Sequence, residues 1–363
     1  MATPTEQDAA LGERLAARTL ELIDVASESR QEAALHQHVL ELLHAGGLEV
    51  DDEGDTCLWA QPTRGNGRPL VLLAGHLDTV PAQGNRPGSR DATTVHGLGA
   101  SDMKSALAVM AELALTPPDQ RALDFAVLFF GREELPGDES ALAPLLLRAA
   151  ERFAEVELVV MMEPTVNALQ AGCLGNVNAR WSFSGRSGHS ARPWLADNAI
   201  ERAAAGVMHL AGAEPVERVC QGLVFREVAS VTRIGGGIAH NVIPDHVACG
   251  LNFRFAPGRT IPEARARLAE LTGGHGELEI LSAAASAPVA LDRPLVRALR
   301  AAGELEVAPK QAWTPVAEFA ERGLPAVNFG PGDPAFAHRR DEQVGVQALV
   351  RCFRVLERFL VAG

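Results

Sequence analysis

Leu70-Val71-Leu72-Leu73-Ala74-Gly75 is apolar at every position and stops at His76-Leu77-Asp78. A short apolar run without alternation suits a strand buried on both faces, as in a parallel sheet covered by helices. Three more runs share the pattern: Phe125-Ala126-Val127-Leu128-Phe129-Phe130, Val156-Glu157-Leu158-Val159-Val160-Met161-Met162 and Pro325-Ala326-Val327-Asn328-Phe329. Helical spacing marks residues 104–115 and 141–153, and two amphipathic helices are expected at the start of the chain, before Ala45. Strands alternating with helices predict a mostly parallel sheet with crossover helices. The middle of the chain reads differently. Residues 176–184 alternate like a half-buried strand, 198–210 are helical, 226–234 and 246–255 are strands, 262–271 are helical and 277–282 form a strand. That order, β-α-β-β-α-β, is ferredoxin-like. The expected fold is therefore α/β: a mostly parallel-sheet domain at 1–174 and 289–363, with an inserted ferredoxin-like α+β domain at 175–288.

The length of 363 residues agrees, since a domain usually takes ~100–200 residues. Hydrophobic residues make up 47% and charged residues 22%, enough for two ordinary cores. No apolar stretch reaches the ~18 residues of a membrane span. Met1-Ala2-Thr3-Pro4-Thr5-Glu6-Gln7-Asp8 has no basic region leading into an apolar one, so no secretory leader is expected. A net charge of −13 argues against general nucleic-acid binding, which needs a cationic face. Cys57, Cys173, Cys220, Cys249 and Cys352 are scattered, odd in number and free of any CxxC. They predict buried thiols in a reducing cytoplasm rather than a disulfide framework or a cysteine zinc cluster. Neither nucleic acid nor membrane is an expected partner.

The apolar runs end in residues that bind metals. His76 and Asp78 follow the first, Glu133 and Glu134 the second, Glu163 the third, and Asp333 and His338 the fourth. Asp102 stands just before the helix at 104–115. In open α/β sheets, ligands bind beyond the carboxyl ends of the strands, so these side chains should meet in one crevice. Histidines and carboxylates without cysteine suit Zn, Co or Mn. Adjacent residues of extended chain point opposite ways, so Glu133 and Glu134 are expected to divide the work, one binding metal and the other serving as a base. Taken singly, each position has a plainer explanation: a surface histidine, a solvated pair of acids, a helix N-cap at Asp102. Their shared placement at strand ends favours a site.

At these residues the chain resembles the di-zinc metallopeptidases that include aminoacylases, glutamate carboxypeptidases and succinyl-diaminopimelate desuccinylases. The motifs are Gly75-His76-Leu77-Asp78-Thr79-Val80-Pro81, Gly99-Ala100-Ser101-Asp102-Met103-Lys104, Glu133-Glu134, Met162-Glu163-Pro164-Thr165 and Phe336-Ala337-His338, in the family's order. The actinobacterial desuccinylase type is favoured by Gly188-His189-Ser190-Ala191-Arg192-Pro193-Trp194, Asn252-Phe253-Arg254-Phe255 and Phe336-Ala337-His338-Arg339-Arg340-Asp341-Glu342-Gln343. The resemblance implies two divalent ions, Zn first and Co or Mn as substitutes. His76 and Glu163 would hold one ion, Glu134 and His338 the other, and Asp102 would bridge them. Glu133 would be the general base, and Asp78 would orient the His76 imidazole. It also implies a cis peptide after Asp102. The inserted domain would be a lid and dimerisation domain making a homodimer. From it His189 would stabilise the oxyanion, Arg254 would pair with a substrate carboxylate, and Asn241 would contact substrate. The implied reaction is removal of a succinyl group from N-succinyl-LL-2,6-diaminopimelate, a small anionic N-acyl amino acid.

Two departures bear on that substrate. Pro315 in Trp313-Thr314-Pro315-Val316 stands where an acid is expected, and Leu135-Pro136-Gly137-Asp138-Glu139-Ser140 makes an unusual turn after the Glu pair. They keep open another deacylase or carboxypeptidase of the same family, such as an acetylornithine-type enzyme. A serine hydrolase is the rival from another class, but Gly185-Arg186-Ser187-Gly188 is not a G-x-S-x-G elbow.

Overall fold

The computed structural model describes residues 6–64, 67–137 and 139–363. Asp138 of the 135–140 turn and the first five residues of the N-terminal stretch lie outside them. The chain forms two compact units. The larger holds the chain up to Ala171 with Ala290–Ala308 and Glu318–Gly363. The smaller holds Gly172–Val289 and also Pro309–Ala317, so it is built from two stretches of chain rather than one insertion.

An eight-stranded sheet runs in the order Val50–Gly54, Cys57–Ala60, Asp124–Phe130, Leu70–His76, Val156–Met161, Ala326–Asn328, Leu169–Cys173, Val307–Lys310. Its four central strands are the four apolar runs, and they are parallel. Leu73 lies level with Val127 on one side and Val160 on the other. Every residue of Leu70–His76 and of Asp124–Phe130 is buried, which is why those runs show no alternation. Antiparallel strands flank the parallel centre. Helices Glu6–Asp24, Lys104–Leu115 and Val346–Ala362 pack on one another. Lys104–Leu115 is buried from Lys104 to Ala114. The Lys104 ammonium donates to the Leu22 carbonyl at 2.9 Å and the Val25 carbonyl at 2.8 Å, tying the helix after Asp102 to the end of the first helix. Burial pulls the Lys104 pKa down to about 7.

The smaller unit carries a five-stranded antiparallel sheet in the order Val216–Cys220, Leu223–Gly236, His246–Phe255, Gly175–Ser184, Glu277–Ala284. Gly175–Ser184 alternates buried Val177, Ala179, Trp181 and Phe183 with less buried neighbours. Helices Ala199–Ala211 and Ile261–Leu271 add Ala199, Ala203, Leu210, Ala264 and Leu268 to that core. The four ferredoxin-like strands are all present, and Val216–Cys220 is an extra strand at the edge, hairpinned onto Leu223–Gly236. Thr260 and Glu263 close the start of Ile261–Leu271 with a reciprocal capping box. All five cysteines are free thiols. Among the described residues, no helix is long and apolar enough to cross a membrane.

Candidate metal centre

His76 is the last residue of its strand and is buried. Its Nδ1 lies 2.9 Å from the Asp78 main-chain oxygen. A carbonyl only accepts, so Nδ1 carries the proton and Nε2 is left facing the site. Nε2 stands 3.1 Å from Asp102 Oδ1 and 3.9 Å from Glu163 Oε1. Burial opposes a charge on this ring, but the Asp102 contact and the carboxylates of Glu133 and Asp78 outweigh it and raise its proton affinity well above the ordinary value.

Asp78 orients His76 through its carbonyl, while its carboxylate does other work. Fully buried, it accepts hydrogen bonds from Ser29 Oγ at 2.8 Å, Glu133 N–H at 2.9 Å and Glu134 N–H at 3.1 Å. Those two main-chain bonds curl the segment after Phe130, and Arg132 takes a left-handed φ of 60°. The Glu pair therefore sits on a bend rather than in extended chain. Both carboxylates reach one cluster: single ligand atoms of His76, Glu133 and Glu134 lie within 4.8 Å of one another. Burial raises the Glu133 carboxyl well above the usual range, and the Glu163, Glu134 and Asp102 carboxylates push the same way.

Two further groups meet the same 4.8 Å limit: His76, Asp102 and Glu163, and Asp102, Glu134 and His338. Asp102 belongs to both. The peptide from Asp102 to Met103 is cis. Glu163 follows its strand by two residues and is held close to the neighbouring strand's end. A Cβ on Gly330 would fall 2.4 Å from the Glu163 and Met162 carbonyls, so only glycine allows that approach. Thr165 Oγ1 completes the link, accepting from Gly330 N–H at 3.0 Å and donating to the Gly330 carbonyl at 3.1 Å. His338 has φ 62° and places Nε2 2.9 Å from Glu134 Oε1 and 3.6 Å from Asp102 Oδ2. The Glu134 contact raises the His338 pKa to about 9.

The remaining predicted residues belong to the smaller unit. His189 pairs with Val242 across a short antiparallel ribbon, and the Asn241 carbonyl accepts from Ser190 N–H at 3.0 Å. These bonds make His189 and Asn241 neighbours. His189 is exposed, with Nδ1 accepting from Ala191 N–H at 3.1 Å. Arg254 lies on His246–Phe255, level with Asn176 and Val228. Its Nε donates to Asn252 Oδ1 at 2.9 Å. It is half-buried and forms no ion pair among the described residues, and burial lowers its pKa. Sequence reading missed Ser29, which nothing in the pattern marks. It quoted Glu342 without giving it a task. Glu342 proves to accept the N–H groups of Gly99, Ser101 and Asp102.

Residues 72–362 match the profile of peptidase family M20/M25/M40. A candidate succinyl-diaminopimelate desuccinylase of Mycobacterium tuberculosis is 39% identical over 345 residues, covering 94% of this chain and 96% of its own. The succinyl-diaminopimelate desuccinylase of Corynebacterium glutamicum is 34% identical over 352 residues, covering 94% and 95%. The crystal structure of the aminopeptidase PepT from Bacillus cereus superposes with a TM-score of 0.77 at 20% identity, covering 96% of this chain and 98% of its own.

Proposed function

Because the chain belongs to peptidase family M20/M25/M40, we propose that it hydrolyses the amide of N-succinyl-LL-2,6-diaminopimelate, releasing succinate and the free diamino acid. The observation that carries this reading is the double cluster in which Asp102 is shared between His76 with Glu163 and Glu134 with His338. The donor set fits two divalent ions. It offers imidazole nitrogen and carboxylate oxygen only, and burial together with the crowding of Glu163, Glu134 and Asp102 makes Glu133 hold its proton well above the usual range. Bound there, two divalent ions, zinc in the first instance, would polarise the acyl carbonyl and acidify water.

The chain's own residues would do the rest. The Glu133 carboxylate takes a proton from the attacking water and delivers it to the departing amine nitrogen. Asp78 keeps Glu133 and Glu134 in place by holding both main-chain N–H groups. Arg254, a half-buried guanidinium without an acid of its own among the described residues, would fork onto a substrate carboxylate. His189 would donate to the oxyanion, and Asn241 would steady the substrate beside it. The working enzyme would be a homodimer formed through the smaller unit.

The test is amine release from N-succinyl-LL-diaminopimelate, N-acetylornithine and a C-terminal glutamyl peptide, with and without chelator. Chelator-sensitive release from the succinyl substrate alone supports the reading. Preference for either other substrate favours the second reading, a different deacylase or carboxypeptidase, for which Pro315 is the specific reason. Release that survives exhaustive chelation would sink both.

A further inference from the structure

The shared ligand Asp102 is the last residue of a loop, 97–102, whose main chain is wrapped around one side chain. Glu342 is 2% exposed. Its Oε1 accepts the N–H groups of Ser101 and Asp102, each at 2.9 Å, and its Oε2 accepts that of Gly99 at 2.8 Å. Its carbonyl accepts the Gly97 N–H at 3.0 Å. Successive main-chain N–H groups turned onto one anion form a nest, the arrangement that elsewhere binds phosphate or a cluster. Here the anion comes from the chain itself.

The nest is locked from outside as well. Ser101 Oγ donates to the Asp333 carbonyl at 2.7 Å, and a Cβ on Gly332 would fall 2.2 Å from the Ser101 carbonyl. Glu342 lies four residues after His338 and leads into strand Gln343–Gly345, which pairs with Thr94–His96 just before the nest. One carboxylate therefore joins the loop that ends in Asp102 to the loop that carries His338.

We propose that Glu342 is a positioning residue for the metal centre: it sets the Asp102 main chain so that the Asp102 carboxylate stands between His76 and His338. The assignment rests on Asp102 being the shared ligand. Three N–H donors need three lone pairs, and a carboxylate supplies them from its two oxygens. An amide does not. Glu342→Gln puts an NH2 group against at least one main-chain N–H, so the loop must shift where Asp102 is attached. Partners of this kind typically change metal affinity or activity by ~10–100-fold.

The experiment titrates zinc against a chromophoric chelator, alongside circular dichroism of the metal-free protein and steady-state kinetics. For a folded Glu342→Gln, the expected result is zinc affinity lower by about 10–100-fold, kcat lowered with KM little changed, and activity recovered by added zinc. Glu227→Gln, a buried acid of the smaller unit held by Arg259 at 2.8 Å, serves as the control and should leave zinc affinity unchanged. Glu342→Asp keeps the charge one methylene short and should also lose affinity. Wild-type zinc affinity in either folded variant overturns the proposal, and so does failure of both to fold, which would make Glu342 a folding residue. Asp102→Asn separates the two ideas. If it binds zinc as tightly as wild type, the shared-ligand reading fails; if it loses zinc while Glu342→Gln does not, only the Glu342 proposal fails.

Discussion

Glu133 and Glu134 are neighbours with different surroundings, and that difference fits the proposed division of work between base and ligand. Glu134 is engaged by His338 at 2.9 Å, whereas burial and the carboxylates around Glu133 raise its proton affinity. Glu133→Gln should keep both ions, since neither of the two Asp102-sharing groups includes Glu133. It should cost kcat ~10²–10⁴-fold, the range for a general base. Metal analysis and single-turnover rates check this, and near-normal turnover would withdraw the base from Glu133. A second residue-scale case lies away from the centre. Burial raises the Glu318 carboxyl from an ordinary 4.5 to about 7, with Glu321 adding to the shift, and Glu318 Oε2 meets no partner among the described residues. A carboxyl with a raised folded pKa binds more protons folded than unfolded between those two values. Its contribution is therefore whole below pH 4.5 and is lost as pH rises through about 7. Glu318→Gln cannot ionise, so it should unfold at a higher temperature than wild type at pH 8 and at a similar one at pH 4.5. The gain should be about 1–3 kcal/mol. Melting curves that differ equally at both pH values would show that ionisation is not the cause.

At the scale of elements, the bend after Phe130 shows what the sequence could and could not reveal. The four central strands were legible because burial on both faces removes alternation, and the helix at Lys104–Leu115 because it starts and stops within one apolar stretch. The flanking strands Val50–Gly54, Leu169–Cys173 and Val307–Lys310 were not. They are short, and Val50–Gly54 is largely exposed, so they carry neither signal. The helix at 141–153 proved to be Leu142–Arg148 and Ala150–Phe153, broken at Ala149. The gathering of candidate ligands at the strand ends was legible from residue type and placement, but the bend at the Glu pair was not, because its cause is Asp78, more than fifty residues earlier. That cause is testable. Asp78→Ala leaves two main-chain N–H groups without their acceptor and the Ser29 hydroxyl with only the Thr79 carbonyl at 3.3 Å. An unsatisfied buried donor costs about 1–3 kcal/mol, so the variant should lose about 2–5 kcal/mol in chemical denaturation. Zinc binding should weaken with it, because Glu134 is no longer held. A variant as stable as wild type would mean the bend is fixed by something else.

For the whole molecule, the question is what covers the smaller unit's sheet. Beyond Glu227, strand Leu223–Gly236 pairs only with His246–Phe255 among the described residues, so its other edge is open. Ile234 on that edge is 64% exposed, Ile238 just past it 89%, and Met208 on helix Ala199–Ala211 72%. An open edge bordered by apolar side chains invites aggregation unless something pairs with it. A second copy joined edge to edge would extend the sheet and cover those side chains, and light scattering should then give twice the chain mass of 38.5 kDa. Each copy carries a net charge of −13, so association brings like charges together and the apolar edge must outweigh their repulsion. Salt screens the repulsion and leaves apolar burial in place, so the dimer should tighten as ionic strength rises. Ile234→Lys adds a charge to the edge and removes apolar surface, and it should shift the protein to monomer at every salt concentration. A wild-type monomer at high salt would leave the open edge without a partner, and a dimer untouched by Ile234→Lys would place the contact elsewhere.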